Sequence, residues 1–129
     1  MGEKEASEWF RFAEDDLEAA KYLMGMTARK LEIICYHCQQ CAEKAIKSLY
    51  ALKDMEIPRT HDLRILASSP QFLHCFSDLN AVLAMLQPFA VIVRYPYAIE
   101  LVPGDEEKAV IAAETVLATC RALLKEFDP

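Results

Sequence analysis

The stretch Cys35–Leu52, CYHCQQCAEKAIKSLYAL, constrains this chain more than any other. Ile34, Cys38, Cys41, Ala42, Ala45, Leu49 and Leu52 recur at the i, i+3, i+4, i+7 spacing of a buried helical stripe. His37, Gln40, Lys44 and Lys47 form a second, polar stripe along one side of the same helix. Glu43 flanks that stripe, and Lys47 follows it at i+4, the favourable order for an ion pair on a helix surface. Taken alone, the segment reads as a half-buried bundle helix with a solvated outer face.

Ser7 to Met24 is expected to form the first helix, with Phe10, Ala13, Leu17, Ala20 and Met24 inward. Glu14, Asp15, Asp16, Glu18 and Lys21 take its outer face, and Gly25 stops it. Thr27 is placed to cap the second helix, which ends near Lys53, before Pro58. Thr60 caps a short third helix, with Asp62 in its first turn and Leu63 and Leu66 inward. Ser69-Pro70 signals a further short turn of helix. Ser77 or Asp78 is expected to cap a fourth helix, with Leu79, Val82, Leu83, Leu86, Phe89, Ala90 and Val93 on its buried side and a kink at Pro88. Val91-Ile92-Val93 also suits a strand, but no other segment offers it a partner, so helix is preferred. Tyr95-Pro96-Tyr97 breaks regular structure. Asp105, Glu106 and Glu107 open a last helix whose apolar face runs from Ala109 to Phe127. The expected fold is all-α: an antiparallel up-and-down bundle of four long helices plus a short fifth, in one domain over 1–129.

A chain of 129 residues with 53% apolar residues can bury a core without disulfides or metals. Its formal net charge of −6 argues against binding nucleic acid through the overall field. Residues 29–59 form a net-basic stretch, with Arg29, Lys30, Lys44, Lys47, Lys53 and Arg59, and the polar stripe lies inside it. The start, MGEKEASEW, lacks the apolar run of a secretory signal, and no run approaches a membrane span. A cytoplasmic protein with reduced thiols, no membrane association and no cofactor is the expectation.

Cys35, Cys38 and Cys41 are spaced like part of an iron–sulfur motif, but the required fourth Cys is replaced by Ala45 and Ile46. On a helix their sulfurs spread over a wide arc, so no metal site is expected and core packing is preferred. His74 lies among Phe72, Leu73, Cys75 and Phe76 and reads as a packed or partly exposed residue. His61 reads as a first-turn surface group, and Arg94 as a capping or solvated group with a fork suited to a phosphate or carboxylate. The cluster Phe89, Val91, Ile92, Val93, Tyr95 and Tyr97 is more apolar surface than one bundle easily hides, which points to a dimer interface.

The pattern His-x-Gln-Gln-x-Ala-Glu-Lys-Ala-x-Lys, His37 to Lys47, resembles the signature of the HEPN family. His61-Asp62-Leu63 and Arg94-Tyr95-Pro96 match short patterns of the same family in order and spacing. The resemblance implies a five-helix bundle that dimerises, often paired with a small nucleotidyltransferase in toxin–antitoxin or stress-defence systems. It implies ligand-binding roles for His37, Gln40, Glu43, Lys44, Lys47, His61, Arg94 and Tyr95. Ribonuclease members carry an Arg followed, after four to six residues, by a His. After Arg94 those positions hold Ile99, Glu100 and Leu101. The leading expectation is therefore a non-catalytic module binding a nucleotide or other phosphate ligand. A ribonuclease toxin with a site rearranged around Arg94 and His61 is the second. A scaffold dimer, with Glu43, His61 and Arg94 in a buried polar network, is the third.

Overall fold

A computed structural model describes residues 2–95, 97 and 99–127, and among these there is no strand. The helices are α1 (Gly2–Leu23), α2 (Leu31–Leu52), α3 (Leu63–Ala67), α4 (Asn80–Leu86) and α5 (Asp105–Phe127). Two 3-10 segments, Leu73–Leu79 and Gln87–Val91, abut α4 and lengthen it at both ends.

The helix directions follow from paired residues. As numbering climbs on α1 it falls on α2: Gly2 meets Ala51 and Leu52, Trp9 meets Lys47, and Asp16 meets Lys44 and His37. On α5 it also falls, since Glu14 pairs with Arg121 and Lys21 with Glu114. Phe72, ahead of α4, stacks edge-on against Tyr50 at 5.0 Å, while Gln87, at its far end, accepts from the Leu63 backbone N–H at 2.7 Å. The segment 73–91 therefore runs antiparallel to α2, completing the up-and-down bundle.

Helix α2 lies at its centre. It buries fourteen of its residues, where α1 buries seven. Ile34, Cys38, Cys41, Ala42, Ala45 and Leu49 are all fully buried, as the apolar periodicity requires.

Helix α1 begins at Gly2, five residues before the expected Ser7. A Cβ at Gly2 would stand 2.8 Å from the Ala51 carbonyl oxygen and 2.9 Å from that of Leu52. The missing side chain lets the first turn lie directly on the end of α2, and Ala6 continues the buried stripe. Asp16 departs from its expected outer face and is buried. Thr27 does not cap α2: the residue before that helix is Lys30, without a side-chain cap bond. Arg29 organises this corner instead. Its Nε donates to the Met24 carbonyl at 2.8 Å, and its Nη1 donates to Glu106 Oε2 and Glu107 Oε1, both at 3.1 Å. One guanidinium thus joins the exit of α1 to the start of α5.

Asp62, not Thr60, caps α3. Its carboxylate accepts from the Arg64 and Ile65 backbone N–H groups, while Thr60 Oγ1 accepts from Asp62 N–H. Ser69 Oγ accepts from Gln71 N–H in the expected turn. Neither Ser77 nor Asp78 caps α4 with a side chain; the chain enters it already wound as 3-10 helix. At Pro88 the winding tightens again. Residues three apart then share a face, so Phe89 is followed inward by Ile92, 1% exposed, and not by Val93, 46% exposed. Pro96, at the expected chain break, lies outside the described residues.

Acid side chains in the first turn of α5 hold the loop that enters it. Asp105 Oδ2 accepts from Val102 N–H at 2.9 Å, and Glu106 Oε1 accepts from Gly104 N–H at 2.7 Å. Gly104 takes φ 106, the left-handed region where a Cβ would add strain. Burial pushes the Glu106 carboxyl up, but backbone N–H groups and Arg29 outweigh it and hold the group below its ordinary value of 4.5. No described helix is long and apolar enough to cross a membrane.

The 3-10 register and the Glu106 contacts are each open to a direct test. Ile92→Ala should lower unfolding free energy by ~2–5 kcal/mol, while Val93→Ala stays within ~0.5 kcal/mol; urea melts read both, and equal losses would contradict the 3-10 register. A depressed folded pKa means that Glu106 contributes its full stability above pH 4.5, losing it as pH falls through the folded value. Glu106→Gln should therefore lose less stability than the unmodified chain between neutral pH and that acid window. Identical acid limbs in thermal melts would contradict this.

Candidate functional site

The polar stripe of α2 is built into two carboxylate clusters. The first centres on Glu43, whose side chain is 4% exposed. Glu43 Oε2 accepts from Lys47 Nζ at 3.0 Å. Glu43 Oε1 meets His61 Nδ1 at 3.0 Å and accepts from Gln39 Nε2 at 3.2 Å. Gln39 Nε2 also lies 3.3 Å from the His61 carbonyl oxygen, so one amide holds both the carboxylate and the backbone of its imidazole partner. Gln40 Nε2 donates to Gln39 Oε1 at 2.8 Å and completes the chain of bonds. The Glu43–Lys47 pair is thus buried, not on the helix surface where the sequence placed it.

The second cluster centres on Asp16 of α1. Its Oδ1 meets His37 Nδ1 at 2.8 Å, and its Oδ2 accepts from Lys44 Nζ at 2.7 Å. His37, Gln40 and Lys44 are half-buried, and Lys47 is buried. Each carboxylate therefore holds one lysine and one histidine. An ionised carboxylate only accepts, so Nδ1 of each ring carries the proton and Nε2 remains available. His61 is 60% exposed, which puts its Nε2 in reach of solvent. Because Lys47 already balances Glu43, a proton added to His61 gives that cluster a net positive charge.

Arg94 and Tyr95 lie beyond the second 3-10 segment, and both are exposed. Their backbone N–H groups bond to the Val91 carbonyl, which winds one last turn. The buried polar network that the scaffold reading drew from Glu43, His61 and Arg94 forms without Arg94, which is exposed: the carboxylate is occupied by Lys47, His61 and Gln39. Among the described residues no ion pair engages Arg94. Of the residues singled out from sequence, Glu43 and His61 meet directly with Lys47, while His37 and Lys44 meet at Asp16.

Gln39, Asp16 and Trp9 are site residues that the sequence reading misses. Gln39 stands at i−4 from Glu43, the spacing for a helix side-chain bond. Asp16 adjoins Leu17 within an otherwise apolar stripe, a signal of a paired buried acid. Cys35, Cys38 and Cys41 are fully buried, and burial pushes the Cys35 and Cys41 thiols up to about 12 and Cys38 up as well. Among the described residues no three His, Cys, Asp or Glu groups are placed to hold a metal ion. His74 is exposed, with Nε2 3.4 Å from Cys75 Sγ.

The helix order and the polar seam define a small up-and-down helical module with its polar groups gathered on the second helix. The family model described as HEPN domain matches residues 6–123, and the chain belongs to the HEPN family. Among solved structures it is similar to TT1696 from Thermus thermophilus, at 24% identity over 91% of this chain and 96% of that one, with a TM-score of 0.78. It is also similar to ST0689, an archaeal HEPN homologue, at 26% identity over 92% of this chain and 96% of that one, with a TM-score of 0.71. No curated protein matches.

Glu43→Ala should destabilise the fold by about 3 kcal/mol, because it leaves Lys47 buried without its counter-charge. Arg94→Ala should leave the unfolding midpoint within ~0.5 kcal/mol of the unmodified chain. Chemical denaturation of the two variants side by side checks the pair. A large loss from Arg94→Ala would mean the guanidinium is committed inside the fold.

Proposed function

We propose that this HEPN-family chain is a non-catalytic module that binds a nucleotide or other phosphate-bearing ligand. The observation carrying this reading is the half-exposed His61 imidazole fixed on the buried Glu43 carboxylate. Lys47 neutralises Glu43, so a protonated His61 presents a net cation to an anion. Arg94 supplies an exposed guanidinium fork at the end of the fourth helical segment, which packs against α2. Tyr95 accompanies it at the same chain end. In this reading His37, Gln40, Lys44 and Lys47 hold the seam in place, and His61 and Arg94 meet the ligand.

The same reading has the chain work as a homodimer in the cytoplasm, beside a small nucleotidyltransferase in a toxin–antitoxin or stress-defence pair. Val91, Val93, Tyr95 and Tyr97 remain exposed in the chain around Arg94, which supports a partner surface there. Phe89 and Ile92, counted with them in the sequence, are instead buried and belong to the core.

One observation favours the second reading, a metal-independent ribonuclease. A carboxylate that accepts from Nδ1–H orients the ring and leaves Nε2 as a base, the arrangement used in general-base catalysis. The third reading, a structural dimer without ligand, draws on the internal bonds of Gln39, Glu43 and Lys47.

A thermal-shift screen with nucleotides separates the first reading from the third, because a ligand that binds only the native state raises the melting temperature. A nucleotide should raise it for the unmodified chain and for His37→Ala, and not for His61→Ala. A shift that survives His61→Ala would remove the imidazole from the site. Incubation with labelled RNA tests the second reading: cleavage by the unmodified chain and none by His61→Ala would replace the non-catalytic account.

A further inference from the structure

The chain holds three histidines, and the fold gives each a different setting. His61 combines carboxylate support with exposure: its Nδ1 lies 3.0 Å from Glu43 Oε1, and its side chain is 60% exposed. His37 has the support with less than half the exposure: its Nδ1 lies 2.8 Å from Asp16 Oδ1, and its side chain is 28% exposed. His74 is exposed without that support: its Nε2 lies 3.4 Å from Cys75 Sγ, and among the described residues no carboxylate pairs with it.

An imidazole whose Nδ1–H is held by a carboxylate keeps the Nε2 lone pair outward. The carboxylate also steadies the positive charge that builds on the ring when Nε2 forms a bond. At His61 that support carries no net charge, because Lys47 Nζ donates to the second oxygen of Glu43 at 3.0 Å. The next carboxylate in the chain, Asp62, is turned to the backbone N–H groups of Arg64 and Ile65. An uncharged electrophile gains nothing from this neutralisation, whereas an anionic phosphoryl donor is spared repulsion by Glu43. A phosphoryl group on Nε2 would stand in solvent, where its charge needs no buried partner.

We propose that His61 Nε2 is a phosphoryl-acceptor site, modified by a donor of the acyl phosphate class. The Nε2 lone pair attacks phosphorus, and the N–P bond forms as the P–O bond to the acyl group breaks. The carboxylate of the donor leaves with that electron pair and needs no proton from the protein. The Nδ1 proton stays in the bond to Glu43, and the positive charge left on the ring faces that carboxylate. Glu43 acts as a positioning residue. The step requires no bound nucleotide, so it stands apart from the ligand reading above.

The test uses the full chain with acetyl phosphate as donor. Tandem mass spectrometry maps phosphohistidine, and phosphorus NMR tells Nε2 from Nδ1 attachment. His61 should be phosphorylated first, at Nε2, and His61→Gln should remove that product. Glu43→Gln keeps the shape and replaces a charge-assisted hydrogen bond by a neutral one. The rate at His61 should then fall roughly tenfold relative to His74 in the same molecule. A general loosening of the fold would instead raise the rates at His37 and His74, and melting curves confirm that the variant is folded. If it does not fold, the ranking of the three histidines in the unmodified chain decides alone. Equal rates at His61 and His74 in that chain, attachment at Nδ1, or no phosphohistidine on the folded protein would overturn the proposal. A ratio of His61 to His74 unchanged by Glu43→Gln would overturn it as well.

Discussion

The constraint on which this bundle depends is the burial of most of α2. Fourteen of its residues are buried, and Gln39, Glu43, Lys47 and Ser48 are among them. Burying a charge without a partner is far more costly than an ordinary packing defect. Each of these groups is accordingly matched. Lys47 and Glu43 pair along the helix, Gln39 bonds to Glu43, and Ser48 donates to the Ala45 carbonyl at 2.6 Å. Among the described residues no buried side-chain nitrogen or oxygen lacks a partner.

The requirement to satisfy Glu43 also positions the chain outside α2. One carboxylate oxygen needs more than Gln39, and His61 reaches it from the segment before α3. Gln39 clasps the His61 backbone, Asp62 caps α3, and Gln87 accepts from Leu63. Three consecutive residues thereby tie α2, α3 and the second 3-10 segment together. An imidazole supported in this way has a fixed ring and a free outer nitrogen. The same bonds that stabilise the interior therefore determine which group faces outward. Asp16 repeats the arrangement against α1 with His37 and Lys44.

Much of the fold is legible in the sequence because apolar periodicity on α2 and α5 is long and uninterrupted. The long helices and the inward residues of α2 follow from it. The ends are less legible. Gly2 starts α1 through a close approach to two carbonyls of another helix, which no local pattern of residues encodes. The shift from Val93 to Ile92 comes from 3-10 winding after Pro88, and a period of 3.6 cannot anticipate a change of period. In the site, the motif His37–Lys47 locates the polar seam correctly. It does not distinguish partners within the helix from partners across it, and periodicity alone puts Asp16 on the outer face. Pairing across elements depends on their relative rotation, which is set by packing and not by spacing along one chain.

The central claim is that Glu43 fixes His61 through Nδ1 and leaves Nε2 outward. Long-range proton–nitrogen correlation spectra of the imidazoles test it directly, taken on the neutral ring. The account predicts that neutral His61 is protonated at Nδ1, and that Glu43→Gln, a substitution that keeps the shape, weakens this preference. A neutral ring protonated at Nε2, unaffected by Glu43→Gln, would contradict it.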